Sequence, residues 1–203
     1  MIAIVDYGMG NLRSVQKAFE RVGHGAVVTN RPEDVAQAER VVLPGVGAFG
    51  DAMANLKRAG LVDPVVKSIS KGRPFLGICL GLQLLFVESE EMGRHRGLDV
   101  LPGRVRRFPE GERVPQIGWN QIHIRRKLPL LEGIPDGSFF YFVHSYYVDA
   151  ENPEDTIATT DYGIDYTSIA GRGTAFGIQF HPEKSQDLGL RILKNFAEMD
   201  CGT

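Results

Sequence analysis

The stretch FLGICLGLQLL, residues 75–85, decides how the rest of the chain is interpreted. Phe75 to Ile78 is an apolar, strand-like run that leads directly into Cys79, and Leu80 to Ser89 is predicted to be a helix. A glycine lies two positions before the cysteine and another two positions after it, as in the strand-to-helix turn called a nucleophile elbow. Because such a turn crowds its flanking positions, those positions must lack a Cβ. The stretch therefore predicts a cysteine sulfur that projects from the edge of a sheet.

Around this turn, strand and helix patterns alternate through the first half of the chain. Besides the stretch above, we predict three strands and three helices there, in chain order: Ile2–Val5, Asn11–Val22 (helix), Ala26–Thr29, Val41–Leu43, Asp51–Lys57 (helix) and Leu61–Lys71 (helix). Alternation at this spacing is typical of a parallel sheet with helices on its faces. Ligands bind such sheets at the carboxyl ends of the strands, where Gly-rich turns follow Val5, Leu43 and Ile78.

From about Leu101 the pattern changes to strands without long helices between them. The predicted strands are Gly103–Phe108, Val114–Gly118, Phe139–Val148, Thr156–Thr160, Thr167–Ala170 and Ala175–Phe180, and a final helix is predicted over Leu188–Met199. This half is expected to be antiparallel or mixed. The predicted fold class is therefore α/β: a single domain over residues 1–203, with an open, mostly parallel sheet flanked by helices and antiparallel or mixed strands in the second half.

Composition excludes several classes of function. The 203 residues are 43% hydrophobic and 24% charged, which is typical of a globular enzyme-sized domain. The formal net charge of −2 does not favour binding to nucleic acid or to a membrane surface. Two cysteines provide no disulfide framework and no four-cysteine zinc site, and they fit a cytoplasmic setting. We also expect no signal peptide and no membrane span.

A candidate general base lies in the sequence His181-Pro182-Glu183, after the last predicted strand. Pro182 favours an extended conformation at His181, and residues two apart in an extended chain point to the same side. We therefore expect the Glu183 carboxylate to orient the imidazole, as in a catalytic triad. The alternative is that Cys79 and His181 are buried structural residues, which is the usual role of either residue type taken alone.

The turn Pro44-Gly45-Val46-Gly47 offers backbone N–H groups at another strand end. Together with the N–H of Leu80, these groups are candidates for an oxyanion hole. The alternative is an ordinary Gly/Pro turn. Because glycines flank Val46, its peptide tolerates the backbone angles that a flip needs.

Nucleotide and metal sites are not favoured. Gly8-Met9-Gly10 resembles the start of a dinucleotide-binding loop, but Arg13 occupies the position of the third glycine. The histidines outside the His-Pro-Glu sequence show no metal-ligand spacing with cysteines or acids. We expect no metal and no cofactor.

Taken together, the motifs resemble the class I, triad-type glutamine amidotransferases, and most closely the glutaminase subunits of imidazole glycerol phosphate synthases. The resemblance covers essentially the whole chain and is carried, in order, by Asp6–Asn11, Leu43–Phe49, Gly77–Leu85, Gly118–Asn120, Phe142–Tyr146 and Gln179–Ser185.

The resemblance implies a role for each matching position. The catalytic triad would be Cys79, His181 and Glu183, and the oxyanion hole would be formed by the N–H groups of Val46 and Leu80. Glutamine would be held by Gly47, Gln83, Ser145 and Tyr146. The contact with a partner would include Asn11, Trp119, Tyr141 and Lys184.

The same resemblance implies a heterodimer whose glutaminase site is idle until the partner and the partner's substrate are bound. We therefore expect the Val46 N–H to point away from the site in the isolated chain. The partner would be a (β/α)₈-barrel cyclase/synthase subunit, which uses ammonia from glutamine to make imidazole glycerol phosphate and aminoimidazole carboxamide ribotide in histidine biosynthesis.

Three alternatives remain at this point. The elbow could belong to an amidotransferase that serves anthranilate or pyridoxal phosphate synthesis. It could belong to a cysteine peptidase or redox-sensing relative, but such a protein would lack the Gln83 position and the close His-Pro-Glu pair. The chain could also be a non-catalytic scaffold, although its triad is intact.

Overall fold

The computed structural model describes residues 1–200. Its strands are β1 (Ile2–Val5), β2 (Ala26–Thr29), β3 (Arg40–Gly45), β4 (Phe75–Cys79), β5 (Phe86–Ser89), β6 (His95–Arg96), β7 (Leu101–Arg107), β8 (Gln116–Gln121), β9 (His123–Ile124), β10 (Phe139–His144), β11 (Tyr146–Ala150), β12 (Thr156–Asp161), β13 (Asp165–Arg172) and β14 (Ala175–Ile178). Its α-helices are α1 (Leu12–Arg21), α2 (Pro32–Gln37), α3 (Phe49–Arg58), α4 (Val62–Ser70), α5 (Leu80–Leu84) and α6 (Gln186–Glu198). Short 3₁₀ helices cover Pro129–Leu131, Pro153–Asp155 and Pro182–Lys184.

The main sheet has twelve strands, and its centre is parallel. Strands β2, β1, β3, β4 and β14 lie side by side and run in one direction. The sheet then continues through β13, β11, β7, β5 and β6, where the pairs are antiparallel except for β5 with β7. Strand β12 pairs with β13, and β9 pairs with β12, which completes the twelve strands. Strands β8 and β10 form a separate antiparallel pair. The predicted α/β fold class, with antiparallel strands in the second half, is confirmed.

Side chains that point alternately to the two faces of the sheet along the central strands produce two hydrophobic clusters, one on each face. On β1, Ile4 packs into the cluster that contains α1 and α6, whereas Val5 packs into the cluster that contains α3. Phe19 and Phe196 join α1 to α6 on the first face, with ring centroids 6.3 Å apart. Because successive side chains of a strand point to opposite faces, an unbroken apolar strand supplies both clusters.

The predicted helix over Leu80–Ser89 is wrong in its second half. Helix α5 ends at Leu84, and Phe86–Ser89 is strand β5. The reason is a set of tertiary hydrogen bonds. The backbone N–H of Leu98 donates to the carbonyl of Leu84 at 2.8 Å, and the N–H of Val100 donates to the carbonyl of Leu85 at 2.9 Å. These carbonyls are bonded by a distant segment instead of by a continuing helix, and local sequence does not reveal that partner.

The predicted strand Phe139–Val148 is two strands. It divides at Ser145, so that β10 pairs with β8 and β11 pairs with β7 in the main sheet. Helix α2, which begins at Pro32, was not predicted at all. The break at Ser145 matters for the site because there the chain passes from one sheet to the other at the edge where the parallel strands end.

Candidate active site

Cys79 occupies a sharp turn at the carboxyl end of β4. Its backbone has φ 55° and ψ −109°, and α5 begins at the next residue. A Cβ at Gly77 would collide with the carbonyl of Gly81, and a Cβ at Gly81 would collide with the carbonyl of Leu43. The glycines around the cysteine are therefore needed for close backbone approach, as the sequence predicts. The turn directs the sulfur out of the sheet edge.

The sulfur lies between one acceptor and one donor. Its thiol donates to the backbone carbonyl of Val143, with Sγ and O 3.9 Å apart. The side-chain amide of Gln179 donates to the sulfur, with Nε2 and Sγ 3.6 Å apart. Both neighbours lie at positions that were not singled out as site residues from the sequence.

His181 and Glu183 form a buried pair beside the sulfur. His181 Nδ1 and Glu183 Oε1 are 2.9 Å apart, and the two side chains are only 3% and 1% exposed. His181 is extended, as predicted, but the chain then turns into the 3₁₀ helix Pro182–Lys184. The 3₁₀ turn, and not the predicted continuation of an extended chain, brings the carboxylate to the imidazole.

Backbone bonds fix the position of His181. Its N–H donates to the carbonyl of Tyr141 at 2.9 Å, and its carbonyl accepts a bond from Ser185 Oγ at 2.6 Å. The hydroxyl oxygen of Ser185 in turn accepts the N–H of Tyr141 at 3.0 Å. The backbone of His181 is therefore tied to strand β10 both directly and through the Ser185 hydroxyl.

The electrostatics of the pair favour an imidazolium. Burial lowers the pKa of His181, but Cys79 and Glu183 together outweigh burial and raise that pKa to about 10. Within residues 1–200, His181 Nε2 and Glu183 Oε2 are buried without a hydrogen-bond partner. Since Nδ1 is engaged by Glu183, Nε2 is the nitrogen that remains for proton exchange.

A cavity of about 380 Å³ opens above the sulfur. Its lining comprises Val46, Gly47, Cys79, Leu80, Gln83, Glu91, Pro115, Val143, His144, Ser145, Tyr146, His181 and Lys184. The structure thus brings together the predicted oxyanion positions, the predicted glutamine positions and two members of the predicted triad. The register explains this, because Gly45 lies opposite Cys79 and both end their strands at the same edge.

Two polar residues of the lining were missed from the sequence. Glu91 follows the unpredicted strand β5, and its Oε2 accepts the N–H of Phe49 at 2.7 Å at the start of α3. His144 lies inside the motif Phe142–Tyr146, but its local sequence does not indicate a role.

The structure gives His144 a buried, neutral environment. Its Nδ1 is 2.8 Å from the carbonyl of Tyr146, and its Nε2 is 3.2 Å from the hydroxyl of Tyr166. Burial, helped by the nearby charge of His181 and opposed by the hydrogen bond to the Tyr146 carbonyl, lowers the pKa of His144 to about 4. Because a carbonyl only accepts, Nδ1 carries the proton.

Of the four predicted partner-contact residues, Lys184 lines the cavity, and Tyr141 and Trp119 follow it in a row of contacts. Trp119 and Tyr141 are opposite each other on β8 and β10, with ring centroids 6.2 Å apart. Lys184 Nζ lies 5.9 Å from the centroid of the Tyr141 ring and also lines the cavity. Asn11 precedes α1 and does not line the cavity.

Trp119 and Tyr141 belong to an apolar patch on strands β8 and β10. We call it the outer patch and define it as Ile117, Trp119, Phe139 and Tyr141. Its three large exposed members are Ile117 (63% exposed), Trp119 (46%) and Phe139 (52%). Neighbouring exposed apolar side chains of this size are typical of protein-interaction sites.

Residues 1–200 contain neither a membrane-crossing helix nor a metal-binding cluster. No helix of that part of the chain is both long enough and apolar enough to cross a bilayer. Over the same residues, no three His, Cys, Asp or Glu side chains converge as ligands for a metal ion.

Known structures share the fold. A structure titled "Crystal structure of glutamine amidotransferase" superposes with a TM-score of 0.76 at 20% identity, covering 97% of this chain and 98% of that one. A structure titled "Structure of PurLQS from Thermotoga maritima" has a TM-score of 0.73 at 19% identity, covering 97% and 95%. At this identity, the likeness establishes the architecture.

Sequence comparison is more specific. The family model for "Glutamine amidotransferase class-I" matches residues 3–199. The protein named "Imidazole glycerol phosphate synthase subunit HisH" of Syntrophotalea carbinolica is 57% identical, over 98% of this chain and 100% of that one. The protein of the same name from Geobacter sulfurreducens is 53% identical, over 98% of each. The chain therefore belongs to the class-I glutamine amidotransferase family and, within it, to the HisH subunits of imidazole glycerol phosphate synthase.

Proposed function

We propose that the chain hydrolyses glutamine to glutamate and ammonia through Cys79, His181 and Glu183. The observation that carries the proposal is the meeting of a projecting sulfur and a carboxylate-bound imidazole in one cavity. The Cys79 thiolate attacks the side-chain amide carbon. As the C–N bond breaks, His181 gives a proton to the leaving nitrogen, and ammonia departs from a thioester.

The second half of the reaction restores the enzyme. His181 takes a proton from water, and the resulting hydroxide attacks the thioester carbonyl. The C–S bond breaks, glutamate leaves, and the thiolate is regenerated. Glu183 accepts the Nδ1–H bond throughout, so that Nε2 is the nitrogen that exchanges protons.

The oxyanion of both tetrahedral intermediates is stabilised by the N–H groups of Val46 and Leu80. Both residues line the cavity together with Cys79. Leu80 also starts α5, and the first N–H groups of a helix, which have no acceptor within it, favour negative charge. Two such donors are the usual complement for acyl transfer to a cysteine or serine.

The rest of the cavity holds the substrate as a zwitterion. Gly47, Gln83, Ser145 and Tyr146 bind the glutamine backbone and side-chain atoms. The lining contains one carboxylate, Glu91, which is placed to face the substrate ammonium. This charge favours an amino acid over an uncharged amide.

We further infer that the ammonia passes to a separate (β/α)₈-barrel synthase subunit, which makes imidazole glycerol phosphate and aminoimidazole carboxamide ribotide in the cytoplasm. The names of the relatives support a synthase with more than one subunit. The outer patch supports a docking surface, because it is apolar and its member Tyr141 lies beside Lys184, which lines the cavity. The proposed contact comprises Trp119, Tyr141 and Lys184, and it includes Asn11 on the strength of the resemblance alone.

The first test is chemical. Cys79→Ala is expected to abolish glutamate release while leaving the circular dichroism spectrum unchanged. An electrophilic glutamine analogue is expected to label Cys79 in the wild-type chain. Cys201, which lies outside the described residues, is the internal control. Label mainly on Cys201, or unchanged glutamate release by the variant, contradicts the assignment.

The second test concerns the division of labour. The synthase subunit alone, supplied with an ammonium salt at alkaline pH, is expected to form product without this chain. Product that forms from ammonia only after this chain is added would show that the chain does more than supply nitrogen.

A further inference from the structure

Gln179 is a buried amide that the mechanism above does not use. It follows β14 and is 0% exposed, and its backbone N–H donates to the carbonyl of Ser168 at 2.8 Å. Its side-chain Nε2 lies 3.6 Å from the sulfur of Cys79. Gln179 does not line the cavity, so it contacts the reacting sulfur from inside the protein.

Neighbouring hydrogen bonds fix the orientation of this amide. The carbonyl of Tyr146 can only accept, so the atom of Gln83 that lies 3.0 Å from it must be the amide nitrogen. The second N–H of the same nitrogen points to Gln179 at 3.2 Å and requires an oxygen there. The oxygen of Gln179 therefore faces Gln83, and its NH₂ group faces the sulfur.

We propose that Gln179 is the hydrogen-bond donor that stabilises the Cys79 thiolate from the protein interior. The proposal rests on the proposed function only in taking Cys79 as the reacting group. When the thiol ionises, its bond to the Val143 carbonyl is lost and that carbonyl becomes a repulsive neighbour. The N–H of Gln179 then bonds to a full negative charge, and such charge-assisted bonds are stronger than neutral ones.

Other titratable groups also act on the sulfur and must be held constant. His181 interacts with Cys79, and the buried hydroxyls of Tyr7 and Tyr166 are close enough to interact with its charge. Glu91 and Lys184 share the cavity with it. A substitution at Gln179 leaves all five in place, so a change in the behaviour of the sulfur reports the lost amide.

The test uses the full chain with Gln179→Met, a side chain of similar size without a donor. The rate of Cys79 alkylation by iodoacetamide is measured from pH 5 to pH 10. The control is Gln16→Met, because Gln16 donates its amide to the Ala26 carbonyl at 3.0 Å and does not line the cavity. We expect the Gln179→Met profile to move up by roughly one pH unit, a tenfold effect, and the control profile to match the wild type.

Steady-state kinetics with the synthase subunit separate this role from a structural one. Loss of a donor to the sulfur lowers kcat for glutamine hydrolysis about tenfold with little change in KM, since Gln179 is outside the cavity lining. A change confined to KM means that Gln179 only positions Gln83, and it overturns the proposal, as does an unchanged alkylation profile.

A measurement on the wild-type chain keeps the proposal testable if the variant does not fold. The side-chain amide protons of Gln179, followed by NMR, are expected to shift over the pH range in which Cys79 becomes reactive, and to lose that shift in Cys79→Ala. Protons that do not respond to pH overturn the proposal. Alkylation and NMR do not require glutamine turnover, so absence of glutaminase activity contradicts the proposed function without affecting this result.

Discussion

Lowering the pH is expected to destabilise the chain through His144. This side chain is 6% exposed, and burial lowers its pKa to about 4. In the unfolded chain a histidine titrates near pH 6.5. Between these two values the unfolded state binds a proton that the folded state does not. The contribution of neutral His144 to the free energy of unfolding is therefore fully present above about pH 6.5, and it falls as the pH is lowered towards 4.

The magnitude follows from the two pKa values. Lowering the pH from 7.5 to 4.5 covers most of the interval between them, and linkage gives a loss of roughly 2.5 kcal/mol in the contribution of His144 to the free energy of unfolding. His181 acts in the opposite direction, because its pKa is raised to about 10 in the folded chain. Its contribution to stability is fully present below about pH 6.5 and is lost between about pH 6.5 and pH 10, so lowering the pH from 7.5 to 4.5 restores roughly 1.4 kcal/mol of it. Comparison with a variant that keeps His181 isolates the contribution of His144.

The assay is urea denaturation of the full chain at pH 4.5, 5.5 and 7.5, compared with His144→Asn. The asparagine amide can still donate to the Tyr146 carbonyl but does not titrate. The variant is expected to lose less stability over the same interval, whatever its stability at pH 7.5. His24→Asn removes one histidine from a site 30% exposed and serves as the matched control. Equal pH dependence in the wild type and His144→Asn would refute the argument.

Three further outcomes are expected. Gly81→Ala should lower the free energy of unfolding by about 3 kcal/mol or prevent folding, because the added Cβ would collide with a backbone carbonyl. The control is Gly25→Ala, which has open space around it and should leave the melting temperature almost unchanged in thermal melts. Glu183→Gln should lower kcat on the order of 10²–10⁴-fold, because an amide N–H facing His181 Nδ1 selects the wrong tautomer; an unchanged kcat excludes an orienting role. If the Val46 N–H points away from the site in the isolated chain, glutaminase activity without the synthase subunit should be on the order of 10²–10³-fold lower than in the complex. Equal rates for the isolated chain and the complex would contradict a peptide flip at Val46.

Motifs with backbone requirements were predictable from the sequence. The two glycines around Cys79 are needed by a turn that a short stretch of chain defines, so the turn was found without knowledge of its surroundings. The pairing of His181 with Glu183 was likewise found from two neighbouring positions, although the turn between them was not.

Features that depend on distant partners were not predictable. Helix α5 ends early because residues 98–101 bond to its last carbonyls. Glu91 reaches the cavity only because β5 returns beside β7, and its own neighbours in sequence carry no signal of that path. The amide of Gln179 meets the sulfur across two adjacent parallel strands, a contact that the sheet order creates.

The positive φ of Cys79 has a consequence for protein engineering. A non-glycine residue at φ 55° and ψ −109° is in a region that glycine adopts easily, and holding it there costs of order 1–3 kcal/mol. Replacing the cysteine by glycine would release that cost and remove the sulfur in one step. A screen that selects only for thermal resistance would therefore favour chains that have lost their chemistry, and any such screen should be coupled to a measure of turnover.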